Sequence, residues 1–271
     1  MTQLEDPVTL NQVVVIGGAG GFGRVFARAF EDGGAAVTTV DMHAGADIRS
    51  DLEHVSEDLQ QHLSAADLIM MCVPEASALA ILPRLAPLIE HQLLVDICSV
   101  KTKIAAAASE LTRGEYVSLH PMFGPEKAFA GRNAVYIPVR DGPRAEAFRP
   151  QLKAWELNVI ECDAATHDRI TAMVQVTTHA VLATFAALRA DADLDEALVQ
   201  AFATPVFREL EMVSQGMVHE NAELYHNIQT SNPNGPQARE RLRKALEQTL
   251  AAFEAPSPQA TREIFAKARR D

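Results

Sequence analysis

A doubly wound α/β sheet followed by an all-helical domain is the architecture that this sequence predicts, and three observations predict it. Between residues 12 and about 160, short β-rich runs alternate with longer helical ones, the order of a parallel sheet covered by helices. Several of those runs are continuously apolar, as strands buried on both faces should be. Beyond Cys162-Asp163 the β-branched clusters thin out and helical periods continue to Arg270. The expected boundary therefore separates residues 1–162 from residues 163–271.

Strands are expected at 13–16, 36–40, 68–73, 93–97, 116–119, 134–138 and 157–160, and a short alanine run at 105–108 falls within a helix between them. In the second half, breaks are expected at Thr204-Pro205, Ser231-Asn232-Pro233-Asn234-Gly235-Pro236 and Ala255-Pro256-Ser257-Pro258. A helix is expected over 167–190. It is apolar on most of its circumference, as at Ile170, Met173, Val174 and Val181, and its burial is therefore expected.

With 271 residues and 48% hydrophobic content, the chain can give each of two domains a core. Apolar stretches meet charged or amide residues well before the ~20 positions of a membrane span. Met1-Thr2-Gln3-Leu4-Glu5-Asp6-Pro7 lacks a basic region followed by an apolar run, so a cytoplasmic protein is expected. Cys72, Cys98 and Cys162 show no paired spacing, which suggests reduced core residues and neither a disulfide framework nor a metal site. A net charge of −12 argues against nucleic acid and anionic membrane as partners. An anionic small substrate then needs a local cation.

Directly after the first strand, Gly17-Gly18-Ala19-Gly20-Gly21-Phe22-Gly23 carries G-x-G-x-x-G spacing at Gly18, Gly20 and Gly23 and leads into a helical stretch. The spacing allows a tight turn, close approach of a pyrophosphate to backbone N–H groups, and close packing of helix on strand. Gly18, Gly20, Gly21, Phe22 and Gly23 are thus the expected dinucleotide contacts. Asp41 ends the second strand roughly 20 residues past the last glycine, where a carboxylate accepts from the ribose hydroxyls. Such a carboxylate repels a 2′-phosphate, which favours NAD as cofactor, although Arg49 or His43 bears on that preference.

His120 ends a short apolar strand and is followed by Pro121-Met122-Phe123-Gly124-Pro125. The two prolines fix φ and the glycine frees it, so the imidazole sits on a stiff loop at the carboxyl edge of a parallel sheet, where ligands bind. This suits a general base, because histidine titrates nearest neutral pH. Ser99 follows the neighbouring strand and either bonds the His120 ring, meets substrate, or caps the next helix. Lys101 and Lys103 supply positive charge there, or are solvated in the first helical turn.

On the 167–190 helix, Thr171, Gln175, Thr178 and His179 recur at i, i+4, i+7 and i+8 and share one face. A polar stripe on an apolar helix points to a pocket or a bonded interface, with Gln175 and His179 as substrate-lining candidates. Arg208 stands within another apolar helix and either pairs with Glu211 or clamps a substrate carboxylate.

Together these segments resemble the prephenate dehydrogenase family over nearly the whole chain. The resemblance rests on Gly18-x-Gly20-x-x-Gly23, Asp96-x-x-Ser99-Val100-Lys101, the His120-to-Pro125 loop, His167-Asp168-Arg169 with Gln175 and His179, Phe207-Arg208-Glu209, and Glu223-Leu224-Tyr225-His226-Asn227-Ile228-Gln229. The glycine motif is shared with many oxidoreductases, but the loop after His120 and its order relative to the other segments are specific. By that resemblance His120 matches the catalytic histidine, Ser99 the serine beside it, and Arg208 the arginine on a substrate carboxylate. His179 and Gln175 match pocket positions, and the family is usually a dimer built through its helical domains.

The implied reaction is NAD-dependent oxidative decarboxylation of prephenate, a cyclohexadienyl dicarboxylate, to 4-hydroxyphenylpyruvate. Thr178-His179-Ala180-Val181-Leu182 and Ile228-Gln229-Thr230-Ser231-Asn232-Pro233 also resemble relatives from secondary metabolism that oxidise 4-amino-4-deoxyprephenate. Those relatives tend to have lost the loop histidine. Its presence here puts prephenate first, since a hydroxyl needs a base more than an amine does; arogenate is a further alternative. A β-hydroxyacid dehydrogenase would need a central lysine on the 167–190 helix, and none stands there. A catalytically silent NAD-responsive regulator would need no base.

Overall fold

The computed structural model describes residues 8–219 and 221–269. The segment Met1 to Pro7, in which no leader is expected, lies outside them, as do Arg270 and Asp271 at the end of the expected helical domain. Contacts divide the chain into two compact units, Met1–His167 and Asp168–Asp271.

The first unit runs β1 (Gln12–Ile16), α1 (Gly21–Asp32), β2 (Ala36–Asp41), β3 (Ile48–Arg49), α2 (Glu57–Ala65), β4 (Leu68–Met71), α3 (Glu75–Leu85), β5 (Leu93–Asp96), α4 (Thr102–Ser109), β6 (Glu115–Pro121), β7 (Asn133–Arg140), α5 (Pro143–Ala154) and β8 (Asn158–Glu161). The strands form one sheet in the order β3-β2-β1-β4-β5-β6-β7-β8. Every pairing is parallel except β6 with β7. The order reverses between β1 and β4, the crevice where a doubly wound sheet takes its ligand.

Alternation along each strand divides the core between the two faces. Val13 and Val15 of β1 join Phe26, Phe30, Met70, Val95 and Phe148 on one side. Val14 and Ile16 join Leu59, Leu63, Met71, Leu94 and Tyr116 on the other. Each such buried aliphatic or aromatic side chain contributes roughly 1.5–3 kcal/mol, and both faces supply many. The strand β3 escapes sequence reading because it is two residues long. Asp47 secures the turn before it, accepting the Thr39 N–H at 2.8 Å and the Thr39 hydroxyl at 2.6 Å. These bonds hold its carboxyl below the usual range.

A helix opens with α6 (Ala164–Thr171), widens into a π-helical turn (Ala172–Thr177) and continues as α7 (Thr178–Asp191). The second unit, which begins at Asp168, continues with α8 (Glu196–Phe202), α9 (Pro205–Val218), α10 (Ala222–Ser231), α11 (Gly235–Glu254) and α12 (Gln259–Ala268). The three breaks expected from sequence fall between helices, and Thr204 caps α9 by accepting the Phe207 N–H at 3.2 Å.

Two expectations for the 167–190 helix are corrected. It is not α-helical throughout, and much of its apolar surface is exposed, Met173 to 64% and Ile170 to 53%. Ala172, Val176 and Ala186 are buried, whereas Val174, Val181 and Leu188 are exposed as well. By length and composition alone, Ala164–Asp191 is long and apolar enough to cross a membrane, although Gln175 interrupts its apolar run. Such a helix is also what a protein interface produces.

Candidate active site

Parallel pairing brings the carboxyl ends of β1, β2, β4, β5 and β6 to one edge of the sheet, and the predicted residues of the first unit gather there. The chain leaves β1 at Gly17, whose φ of +82° excludes most side chains; a Cβ there would collide with the Cys72 carbonyl of β4's end. At Gly23 a Cβ would strike the Gly17 carbonyl, so α1 can sit directly on the turn. Among the described residues no side chain caps α1 at Gly20, and its first turn has no acidic residue. The N–H groups of Gly21, Phe22 and Gly23 are therefore offered at the positive end of the helix dipole, a cradle that fits a pyrophosphate. Asp41 closes the cradle. Its Oδ2 accepts the Ala19 N–H at 3.0 Å and its Oδ1 the His43 N–H at 2.9 Å. Arg49 sits opposite Asp41 in the β2–β3 register but donates to the Met42 carbonyl at 3.1 Å.

The loop after His120 is packed onto this cradle. The Phe22 ring meets Phe123 edge-on at 6.0 Å and stacks near Phe26 at 5.9 Å. A Cβ on Gly21 would lie 2.9 Å from Pro125, so glycine is needed for the two loops to approach. The side chain of Phe22 thus serves packing, which leaves its backbone N–H as its means of contacting a cofactor.

His120 lies in β6, 3% exposed, with Nδ1 2.8 Å from Nε2 of His167 on α6. Burial, the Lys101 ammonium and the His167 ring hold its pKa well below the ordinary imidazole value of 6.5. At neutral pH the ring is uncharged and can act as an acceptor.

The structure narrows the roles expected of Ser99 and Lys101. Ser99 is half-buried and does not cap α4, whose cap position is Lys101; the Nδ1 partner of His120 is His167 rather than Ser99. Lys101 is 0% exposed, and its Nζ donates to Asp96 Oδ1 at 2.9 Å and to the Leu119 carbonyl at 2.8 Å. Asp96 also accepts from the Tyr116 hydroxyl at 3.0 Å and the Cys98 N–H at 2.9 Å. A fully buried ammonium bonded in this way braces β5 against β6. Lys103 is exposed. Of the cysteines, Cys98 is buried, whereas Cys72 and Cys162 are only partly so.

In the second unit, Gln175 lies in the π-helical turn and its buried Oε1 has no hydrogen-bond partner among the described residues. His179 meets the Tyr225 ring edge-on at 4.8 Å. The widened turn alters the spacing on which a shared stripe was expected, and α10 secures it. Gln229 donates to the Val176 carbonyl at 2.7 Å, and Asn232 to the Asp168 carbonyl at 2.9 Å and Thr171 Oγ1 at 3.2 Å. Arg208 is exposed on α9 and donates to the Gln200 carbonyl at 3.3 Å. Its expected pairing with Glu211 does not form, because Arg189 takes Glu211 at 3.1 Å and also pairs with Glu196. Arg208, Arg189, Glu196, Gln200 and Glu211 line a cleft of about 730 Å³.

Comparison with known proteins decides the family. Residues 26–136 match the prephenate dehydrogenase nucleotide-binding domain, and residues 163–267 match the prephenate dehydrogenase dimerization domain. A 4-amino-4-deoxyprephenate dehydrogenase from Streptomyces pristinaespiralis is 31% identical over 94% of this chain and 89% of its own length. The chain belongs to the prephenate dehydrogenase family. The T-protein of Haemophilus influenzae, 28% identical over 96% of this chain and 67% of its own, is another relative of this prephenate dehydrogenase family member. The fold is that of the A. aeolicus prephenate dehydrogenase crystallised with hydroxyphenyl propionate and NAD+, at a TM-score of 0.75 and 16% identity, covering 97% of each chain. As a member of this family the protein is a dehydrogenase of the prephenate and arogenate type. The matched nucleotide-binding region starts after the glycine loop, so the assignment of that loop rests on its geometry.

His167, Arg189, Gln229 and Asn232 are the residues that sequence reading did not single out for roles at these sites. His167 carried a visible signal, as a histidine in the His167-Asp168-Arg169 segment at the start of a helix, and Gln229 and Asn232 lie in stretches that carry the resemblance.

Proposed function

We propose that this chain catalyses the NAD-dependent oxidative decarboxylation of prephenate to 4-hydroxyphenylpyruvate and works as a homodimer joined through its helical domain. The observation that carries this reading is His120, buried and uncharged beside the glycine cradle. Bound NAD+ supplies the two-electron acceptor for the hydride on the ring carbinol carbon. The N–H groups of Gly21, Phe22 and Gly23 would hold its pyrophosphate on the turn that Gly18 and Gly20 shape, and Asp41 would receive its ribose and repel a 2′-phosphate.

His120 accepts a hydrogen bond from the substrate hydroxyl and stabilises the positive charge that builds on that oxygen as the hydride departs. The bond from the ring to its carboxylate then breaks, carbon dioxide leaves, and the electron pair completes the aromatic ring. The hydroxyl proton ends on the same oxygen, now phenolic, so the step needs no further acid. Arg208, whose guanidinium forms no ion pair among the described residues, is the candidate clamp for a substrate carboxylate. The dimer is supported by the match to a dimerization domain and by exposed apolar side chains on the helical unit, including Met173, Leu188, Phe202, Val206 and Met212.

A second reading, oxidation of 4-amino-4-deoxyprephenate, is favoured by the Streptomyces relative. NADH formation measured in parallel with prephenate, arogenate and 4-amino-4-deoxyprephenate separates them. The highest kcat/KM on prephenate supports the first reading, and turnover of only the amino compound overturns it.

A further inference from the structure

Two imidazoles meet nose to nose at the edge of the sheet. His120 Nδ1 and His167 Nε2 are 2.8 Å apart, the rings are inclined at 59°, and both side chains are buried. Only one of the two facing nitrogens can carry the hydrogen of that bond, and the ring that carries it is the donor. If His120 donates, its own Nε2 holds a lone pair and can accept from a hydroxyl. If His167 donates, the His120 Nε2 carries hydrogen and the base is lost.

His167 is fixed well enough to impose the choice. Its N–H donates to the Asp163 carbonyl at 2.9 Å, and the Asp163 carboxylate in turn accepts from Thr166 N–H at 2.7 Å and Thr166 Oγ1 at 2.9 Å. The first turn of α6, which follows β8 two strands from β6 in the sheet, is therefore bonded into place.

We propose that His167 is a positioning residue, which accepts the Nδ1–H of His120 and so fixes the tautomer in which His120 Nε2 is the acceptor for the substrate hydroxyl. This rests on the reaction proposed above. It places His167 in the role that the third member plays in a nucleophile, base and orienting-group arrangement.

Long-range ¹H–¹⁵N spectra of the full chain labelled in its histidines read the tautomer directly, with the His120 signals identified by their loss in His120→Asn. Protonated Nδ1 and bare Nε2 on His120 are expected; protonated Nε2 overturns the proposal. His167→Leu removes the acceptor, and His167→Gln offers an amide oxygen in its place. The Leu variant is expected to lose about 100-fold in kcat with the KM for prephenate changed by less than about threefold, and the Gln variant to recover to within about tenfold of the original. NAD+ affinity is expected to be unchanged in both. Unaltered kcat in His167→Leu, or equal loss in both variants together with loss of NAD+ binding, overturns the proposal. Should His167→Leu fail to fold, the spectrum and His167→Gln decide. If the unmodified protein turns over none of the three substrates, the proposed reaction fails, while the spectrum still decides the direction of the hydrogen bond.

Discussion

Phe22 and Phe123 meet edge-on with ring centroids 6.0 Å apart, and this contact fastens the glycine cradle to the loop that follows His120. Phe129 extends it, standing 5.9 Å from Phe123 and 5.2 Å from Phe26. A pair of this kind contributes about 0.5–1.5 kcal/mol beyond its buried area, enough to make two loops behave as one.

Phe123→Ala should therefore weaken NAD+ binding and kcat together, each by about tenfold, since 1.4 kcal/mol is a factor of ten. Calorimetric titration with NAD+ and steady-state rates check this. Loss of kcat with unchanged NAD+ affinity would show that the loops act independently.

Asp41 reaches the cradle through the Ala19 N–H and stands where a ribose would lie. Asp41→Ala should raise the NAD+ dissociation constant about tenfold or more, because hydrogen bonds to a charged group contribute about 1.5–3 kcal/mol. The preference over NADP+ should narrow, as the repulsion of a 2′-phosphate is removed. Measured dissociation constants for both cofactors give the comparison.

The depressed pKa of His120 sets a pH dependence of stability. Between its lower folded value and 6.5, the unfolded chain binds a proton that the folded chain does not. Stability contributed by this residue is present above 6.5 and is lost as pH falls through that window, by at most about 1.4 kcal/mol per pH unit. Urea unfolding from pH 7 to pH 5 should show the slope, and His120→Asn should reduce it by the equivalent of one proton. The acid limb of kcat should likewise fall below 6.5.

Lys101 holds a buried ion pair with Asp96, so Lys101→Met leaves a carboxylate buried without its cation. Such a change costs about 3–5 kcal/mol, and Asp96→Asn in the same chain should restore part of it. Without the ammonium, the acid limb of kcat should move up toward 6.5. A large rise in the KM for prephenate with no loss of stability would instead return Lys101 to the substrate.

The sheet was legible because its strands are buried on both faces and written as apolar runs, and seven of its eight strands fall where those runs lie. The two-residue β3 has too little apolar sequence to register, and Asp47 rather than burial secures it. Glycine loop, Asp41 and His120 were legible because turn geometry and strand ends restrict which residues can stand there. Long-range pairings were not: Lys101 with Asp96 and Leu119, Arg189 with Glu211, and His120 with His167 are made by residues whose partners no local period discloses. Nor does any propensity distinguish the π-helical turn at Ala172–Thr177 from the α-helix around it. The Gln229 and Asn232 side chains that secure it come from more than fifty positions away. The 167–190 helix was misread as buried because an apolar circumference signals contact with something, without saying whether this chain supplies it.

The base assigned to His120 is the centre of the account, and NADH formation by His120→Asn with NAD+ and prephenate tests it most directly. A fall in kcat of about 10²–10⁴-fold with unchanged NAD+ affinity is predicted, the range that a positioned base supplies. Turnover of prephenate by His120→Asn at the rate of the unmodified protein would contradict it.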